Sequence, residues 1–404
     1  MLVRAIVGAA VCVCSLAVAS APSVGATEPS AALSTSLRHA LVVKDVDSKR
    51  TAALAIDLRS GEVVYGQNDA LALAPASSEK LAVTLAALRD LGPTYRFRTE
   101  VAGRGHAVGH VWEGNLFVVG SGDPTLDLRD VDALAHKIAV RGITRVSGRV
   151  LGDEHRFDAE RGAPGWKPSF LGIESAPLSA LSVRGVMLRT ANSSAFAAAQ
   201  AFRDALIRRG VRVAGVAGRG RVPLDAVPLA YHRSAPLAAV VREMNHESDN
   251  FDAEMLLKEL GATIAGRGST AAGTHVVRNA LGEAGVPLDG VRLADGSGLS
   301  LRDRLTARAL VAILESGSSD PRTGHDFVAS LSVAGVSGTL QHRLAKRPTR
   351  GRVLAKTGTT NEACALAGFV GTTYVFAILQ NGSPVDYWSA RVAQDRFVTV
   401  LARR

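Results

Sequence analysis

Hydrophobic and polar positions alternate along this chain in several distinct textures. Between Pro75 and Gly92, the residues Leu81, Val83, Leu85, Ala86, Leu88 and Leu91 leave almost no polar side after the first turn. That pattern predicts a helix sheathed in protein on every face, with Pro75 at its start and Gly92-Pro93 at its stop. Upstream, residues 31–42 predict a short helix. Residues 52–57 and 62–65, on either side of Arg59-Ser60-Gly61, predict a β-hairpin. From residue 96 to about 227 the texture becomes short apolar strands (98–101, 116–119, 146–151, 183–188) with helical stretches at 131–140 and 195–208, the signature of an inserted α+β unit. Helical periodicity then returns at 236–244 and 251–260, broken at His246 to Asn250, and again at 271–281 and 306–314. Three strand patterns (352–357, 366–370, 374–379) and an amphipathic helix (386–402) close the chain. The first hairpin and these last strands fit one antiparallel sheet covered by terminal helices, so the expected class is α+β with a helical lobe.

Composition adds a destination. The 404 residues suffice for a large core and two or more structural units. Arg4, an apolar run over 6–19 and Val24-Gly25-Ala26 read as a signal peptide cleaved after Ala26. The mature chain is then expected to be exported to the periplasm or cell wall and to be soluble; left uncleaved, the segment would be a marginal membrane anchor. Cys12 and Cys14 lie inside that segment, so only Cys364 remains, and the core must stabilise the fold without a disulfide. The net charge of +10 comes mostly from arginine, with eight lysines. Export argues against nucleic acid as a partner and favours an anionic wall surface. A lysine kept in an arginine-rich chain is of interest because lysine, unlike arginine, can give up its proton.

Three short motifs carry the chemistry. In Ser77-Ser78-Glu79-Lys80 the serine and the lysine are one helical turn apart on one face, a nucleophile with an amine in reach, beside the orphan N–H groups of a helix start. Ser248-Asp249-Asn250 falls between two helices, and Lys356-Thr357-Gly358, followed by Thr359, falls on a strand that opens a hairpin. Other candidates are weaker. His106 and His110 share a four-residue spacing, but Gly103, Gly105 and Gly109 indicate a turn, not a metal-binding helix. No metal or other cofactor is expected. Cys364 reads as a small core residue, and Asp295-Gly296-Ser297-Gly298 as a turn that shapes the cleft.

Together with Ala74 to Lys80, Gly120 to Leu126, Ala163-Pro164-Gly165-Trp166, Ser179 to Ser182, Ala294 to Leu299 and Gly335 to Leu340, these motifs resemble the D-alanyl-D-alanine carboxypeptidase/endopeptidase family, the class C low-molecular-mass penicillin-binding proteins. The resemblance covers nearly all of the mature chain. It implies the transpeptidase fold shared with serine β-lactamases, with a catalytic domain over 27–95 and 228–404 and an accessory domain inserted at 96–227. The stretch between Ser77 and Ser248 is shorter than in many members, so one accessory subdomain is expected to be reduced. The implied activity is a serine-type D-Ala-D-Ala carboxypeptidase, D,D-endopeptidase or both, acting on peptidoglycan stem peptides and acylated by β-lactams.

Residue by residue, the resemblance assigns Ser77 as nucleophile and Lys80 as general base, while Ser248 relays the proton and Asn250 holds Lys80 and a peptide amide. Lys356 would offer an exposed point charge to the terminal carboxylate, next to Thr357, Gly358 and Thr359, with the Ser77 and Thr359 N–H groups as oxyanion hole. Two rivals are a class A-like β-lactamase and a non-catalytic wall-binding protein. The first needs a Glu-x-x-x-Asn element between the second and third motifs; Glu254, Glu259, Glu283 and Glu315 are followed four residues on by Lys258, Thr263, Pro287 and Ser319. The second is disfavoured by three intact motifs.

Overall fold

The computed structural model describes residues 28–404 apart from residue 189, so the expected signal peptide lies outside the described residues. In chain order the elements are α1 (Glu28–Leu41), β1 (Thr51–Asp57), β2 (Val63–Gln67), α2 (Lys80–Asp90), β3 (Arg98–Val108), β4 (Val111–Val119), α3 (Leu128–Ala139), β5 (Arg145–Val146), β6 (Val150–Asp153), α4 (Ser194–Arg208), β7 (Arg212–Val213), β8 (Ala217–Arg219) and β9 (Val227–Arg233). There follow α5 (Leu237–Glu247), α6 (Asn250–Ile264), α7 (Thr270–Glu283), α8 (Ala307–Ser319), α9 (Gly324–Ala329), β10 (Ser332–Val333), β11 (Val353–Thr359), β12 (Ala363–Val370), β13 (Tyr374–Asn381) and α10 (Tyr387–Ala402). Among the described residues no helix is long and apolar enough to cross a membrane.

The expected antiparallel sheet forms in the order β10-β11-β12-β13-β1-β2. Its central strands β12 and β13 are buried at every position, which explains why they read as continuous apolar runs instead of alternating ones. On one face α2, α5, α6, α7 and α8 pack into the largest core, with Leu54, Ala365, Phe369, Val375 and Leu379 contributed by the sheet. On the other, α1 and α10 cover Ala53, Leu366, Phe376 and Ile378. Helix α2 is the axis of the larger core. It is buried from Lys80 through Leu88, so truncating a side chain such as Leu85 to alanine should cost about 2–5 kcal/mol.

A second, seven-stranded sheet in the order β7-β5-β4-β3-β9, with β6 joining β4 to β8, carries α3 and α4 over its own apolar core. Two expectations change here. Residues 183–188 are not a strand, because Gly185 turns the backbone at φ +81° and Val186 N–H closes a turn on Val183 O; only an isolated bridge, Asp127 to Arg184, remains. The strand β9, unread in the sequence, pairs antiparallel with β3. We propose on that pairing that the inserted unit runs from about residue 96 to Arg233, slightly past the boundary drawn from texture alone.

Candidate active site

The turn that bears Ser77 is not the first turn of an α-helix. Residues Ala76–Glu79 form a 3₁₀ turn, and the α-helix starts only at Lys80. Ala76 has φ +46°, a left-handed conformation that costs a residue with a Cβ about 1 kcal/mol or more and must be imposed by its surroundings. Two glycines impose it. A Cβ on Gly298, itself at φ +80°, would lie 2.0 Å from Ala76 O. A Cβ on Gly358 would lie 2.8 Å from Pro75 O and 3.1 Å from Ser77 N. The Ser77 backbone is therefore clamped between the Asp295–Ser300 loop and strand β11.

Lys80 is fully buried, and its Nζ donates to Ser77 Oγ at 2.9 Å, Asn250 Oδ1 at 2.8 Å and Ser297 O at 2.7 Å. Burial pushes its pKa down to about 8, against the opposing pull of Asp295, Glu254, Asp249 and Glu79. An amine in this state is within reach of its neutral form near physiological pH. Ser248 ends α5 in the left-handed region at φ +58°, Asp249 caps α6 by accepting from Asp252 N, and Asn250 opens α6. The second motif thus sits at a break between helices, as expected. The Asn250 Nδ2 donates to Glu174 O at 2.9 Å, which fixes the amide with its oxygen toward Lys80.

The third motif departs from expectation at its first residue. Lys356 is not an exposed point charge: it is completely buried on β11, and its Nζ donates to Ser248 Oγ at 2.8 Å and to Thr357 O at 3.0 Å. Burial, and then the neighbouring charge of Lys80, hold its pKa well below the usual lysine range. The sequence texture around it, one polar residue in a short apolar strand, did not distinguish an edge position from a position covered by the nucleophile turn. Thr357 Oγ1 donates to Thr339 Oγ1 at 2.8 Å, and Thr359 is exposed at the mouth of the site. A cavity of about 710 Å³ is lined by Ser77, Ser248, Thr357 and Thr359; a second of about 810 Å³, on the side of the inserted unit, shares Ser248 with it.

Several residues of this site were unread in the sequence. Behind Lys80 lie four buried carboxyl groups, Glu79, Glu254, Asp295 and Asp303. Asp295 is richly solvated by protein: it accepts from Gly298 N (2.7 Å), Ser300 N (2.8 Å), Trp166 Nε1 (2.8 Å) and Ser297 Oγ (3.3 Å). One oxygen each of Glu79, Glu254 and Asp303 has no hydrogen-bond partner. Burial and the charges of Asp295 and Glu254 raise Glu79 well above the usual carboxyl range; burial and Asp295 raise Glu254 to about 8; burial with Glu79 and Asp295 raises Asp303 to about 12. Asp295 is thus the hydrogen-bonded hub of this cluster, and burial favours the protonated form of Glu79, Glu254 and Asp303 around it. The turn expected at Asp295–Gly298 does shape the cleft, and its Ser297 carbonyl is also a direct partner of Lys80. Of the four acids, Asp295 is legible in the sequence as part of that turn; Glu79, just before an otherwise apolar helix, is the other visible sign of the cluster.

Comparison with known proteins shows the family. Residues 33–194 and 176–404 match the model of the D-Ala-D-Ala carboxypeptidase 3 (S13) family. The chain belongs to that family. A D-alanyl-D-alanine carboxypeptidase of an Actinomadura species is 33% identical over 81% of this chain and 77% of its own length. A carboxypeptidase of Mycobacterium tuberculosis is 30% identical over 90% of this chain and 82% of its own. The crystal structure of penicillin binding protein 4 from Haemophilus influenzae superimposes with a TM-score of 0.81 at 22% identity, covering 91% of this chain and 98% of the other. The fold and the activity class, a serine-type D-Ala-D-Ala carboxypeptidase, are those the motifs implied.

Proposed function

We propose that Ser77 is the acylating nucleophile of this carboxypeptidase, with Lys80 as its base, and that the substrates are peptidoglycan stem peptides ending in D-Ala-D-Ala or joined by D,D cross-links. The observation that carries the reading is the buried Lys80 Nζ at 2.9 Å from Ser77 Oγ with its pKa lowered to about 8. Neutral Lys80 takes the Ser77 proton as Oγ bonds to the penultimate carbonyl carbon. The C–N bond then breaks, and the leaving amine receives a proton relayed through Ser248, which Lys356 orients by its hydrogen bond. Water, activated by the same lysine, releases the peptide acid. Asn250 holds Lys80 in place, and Thr357, Gly358 and Thr359 form the strand along which substrate lies, with the N–H groups of Ser77 and Thr359 as oxyanion donors.

An endopeptidase outcome requires only that the leaving amine belong to a neighbouring stem peptide. A β-lactam would acylate the same serine, and the absence of a Glu-x-x-x-Asn element supports slow release of that adduct over β-lactamase turnover. The leader sequence supports export to the wall compartment. Incubation with benzylpenicillin followed by intact mass and peptide mapping is the test. One adduct on Ser77, absent from Ser77→Ala, is expected; an unlabelled wild type would favour a non-catalytic wall-binding protein, and rapid turnover a β-lactamase.

A further inference from the structure

With Lys356 buried, a different cation must meet the anionic end of the substrate. The cavity at Ser77 is walled on its outer side by α10, whose residues Trp388 and Arg391 face Thr357 and Thr359. Three other basic groups border this space. Lys356 is committed to Ser248 Oγ and Thr357 O. Arg343 is neutralised: its Nε donates to Asp395 Oδ1 at 2.7 Å and its Nη2 to Gln394 Oε1 at 2.8 Å. His342 is exposed and forms no ion pair among the described residues. The guanidinium of Arg391 has no carboxylate within ion-pair distance among the described residues; its Nη2 makes one long hydrogen bond, 3.4 Å, to Thr359 Oγ1. Asp395, one turn along α10 from Arg391, is engaged by Arg343.

The position of Arg391 is also restricted. Its guanidinium carbon lies 5.3 Å from the ring centre of Tyr387 and 5.9 Å from that of Trp388, so two aromatic faces flank it from its own helix. Through Thr359 it is tied to the strand whose Gly358 abuts Ser77 N. One residue beyond the scissile carbonyl spans at most about 3.6 Å of chain, so the carboxylate of a leaving D-amino acid lies one residue from the nucleophile, at the level of Thr359. A planar, permanently charged fork matches a carboxylate with two parallel hydrogen bonds, which a buried ammonium does not.

We propose that Arg391 receives the free α-carboxylate of the residue that leaves, and so selects substrates that carry one. The inference rests on the peptidase reading given above. Its test compares two synthetic peptides ending in D-Ala-D-Ala, one with a free carboxylate and one with a C-terminal amide, against wild type, Arg391→Gln and Arg391→Lys. Wild type should prefer the carboxylate. Arg391→Gln should lose about 10- to 100-fold in kcat/KM on the carboxylate peptide, mainly through KM, and little on the amide, as expected for one charged hydrogen-bonded contact. Arg391→Lys should recover part of the preference. Equal losses on both peptides would show a structural role and overturn the assignment, and so would a preference that survives in Arg391→Gln, which would return the carboxylate to Lys356 and the threonine hydroxyls. If wild type cleaves neither peptide and is not acylated by penicillin, the peptidase reading itself falls, and the Arg391 assignment with it.

Discussion

Two lysines, equally buried and each hydrogen-bonded to a catalytic-motif serine, sit in opposite electrostatic settings. Lys80 faces Asp295, Glu254, Asp249 and Glu79, which partly offset the cost of its burial. Lys356 has no such carboxylates and faces the charge of Lys80 instead. Burial alone therefore does not define a role. Burial lowers Lys80 and the carboxyl groups around it, Asp295 foremost, offset part of that, which leaves it at about 8, where it can exchange its proton at working pH; Lys356 lacks that offset.

The largest test of this contrast is to remove the exchangeable proton. Lys80→Arg should lower the second-order rate of acylation by a fluorescent penicillin by roughly 10²- to 10⁴-fold, the loss expected for a general base. A buried Lys356 makes the partial tolerance expected of an exposed point charge untenable for Lys356→Arg, since the bulkier fork must also displace Ser248; its loss should approach that of Lys80→Arg while the Lys80 pH profile persists. A Lys356→Arg enzyme with near-normal rates would restore the exposed-charge picture.

Next comes the clamp that brings Lys80 and Ser77 together. Gly298→Ala puts a Cβ against Ala76 O and strains a backbone at φ +80°, so the nucleophile must move; about 10²-fold slower acylation is expected even where circular dichroism shows a folded protein. Normal acylation in that variant would remove the clamp from the account.

A smaller effect concerns pH. Acylation needs neutral Lys80, so its rate should rise with pH through an inflection near 8 in wild type. Asp295→Asn removes the foremost anion that raises the lysine's pKa and should move the inflection downward, read from the full pH profile. An upward shift would mean that Asp295 acts only as a structural hub for the loop.

The smallest expected effect is on stability. Glu79 is raised in the folded state, so the native protein retains a proton that the unfolded chain releases above about pH 4.3. Its contribution is present at low pH and is lost as pH rises from that point toward the raised folded value. Glu79→Gln mimics the protonated acid. Its melting temperature should match wild type below about pH 4 and exceed it at pH 8; a loss at pH 8 would mean that Glu79 is ionised and stabilising in the fold.

How much of this could be read from the sequence depended on how far each feature is local. Helix and strand patterns around Lys80, Ser248 and Lys356 follow from periodicities of a few residues, and the three motifs, together with stretches such as Gly120 to Leu126 and Ala294 to Leu299, resemble one family. The 3₁₀ turn at Ser77 was not readable, because it is imposed by Gly298 and Gly358, far away in the chain. The burial of Lys356 was not readable for the same reason. Strand β9 was missed because four of its seven residues are exposed and it begins with Val227-Pro228, a weak strand signal. The buried acids behind Lys80 come from three separate segments, and only the topology joins them.

The order of strands in the main sheet has a consequence for timing. Strand β1 lies between β2, its neighbour in sequence, and β13 (Tyr374–Asn381), which follows every other strand described. Ser77, Ser297 and Lys356 likewise arrive in widely separated instalments. A nascent polypeptide halted anywhere before the last strands has its nucleophile but neither the sheet beside it nor the lysine beneath Ser248. A site built this way cannot assemble until β11 and β13 have both joined the sheet that holds β1.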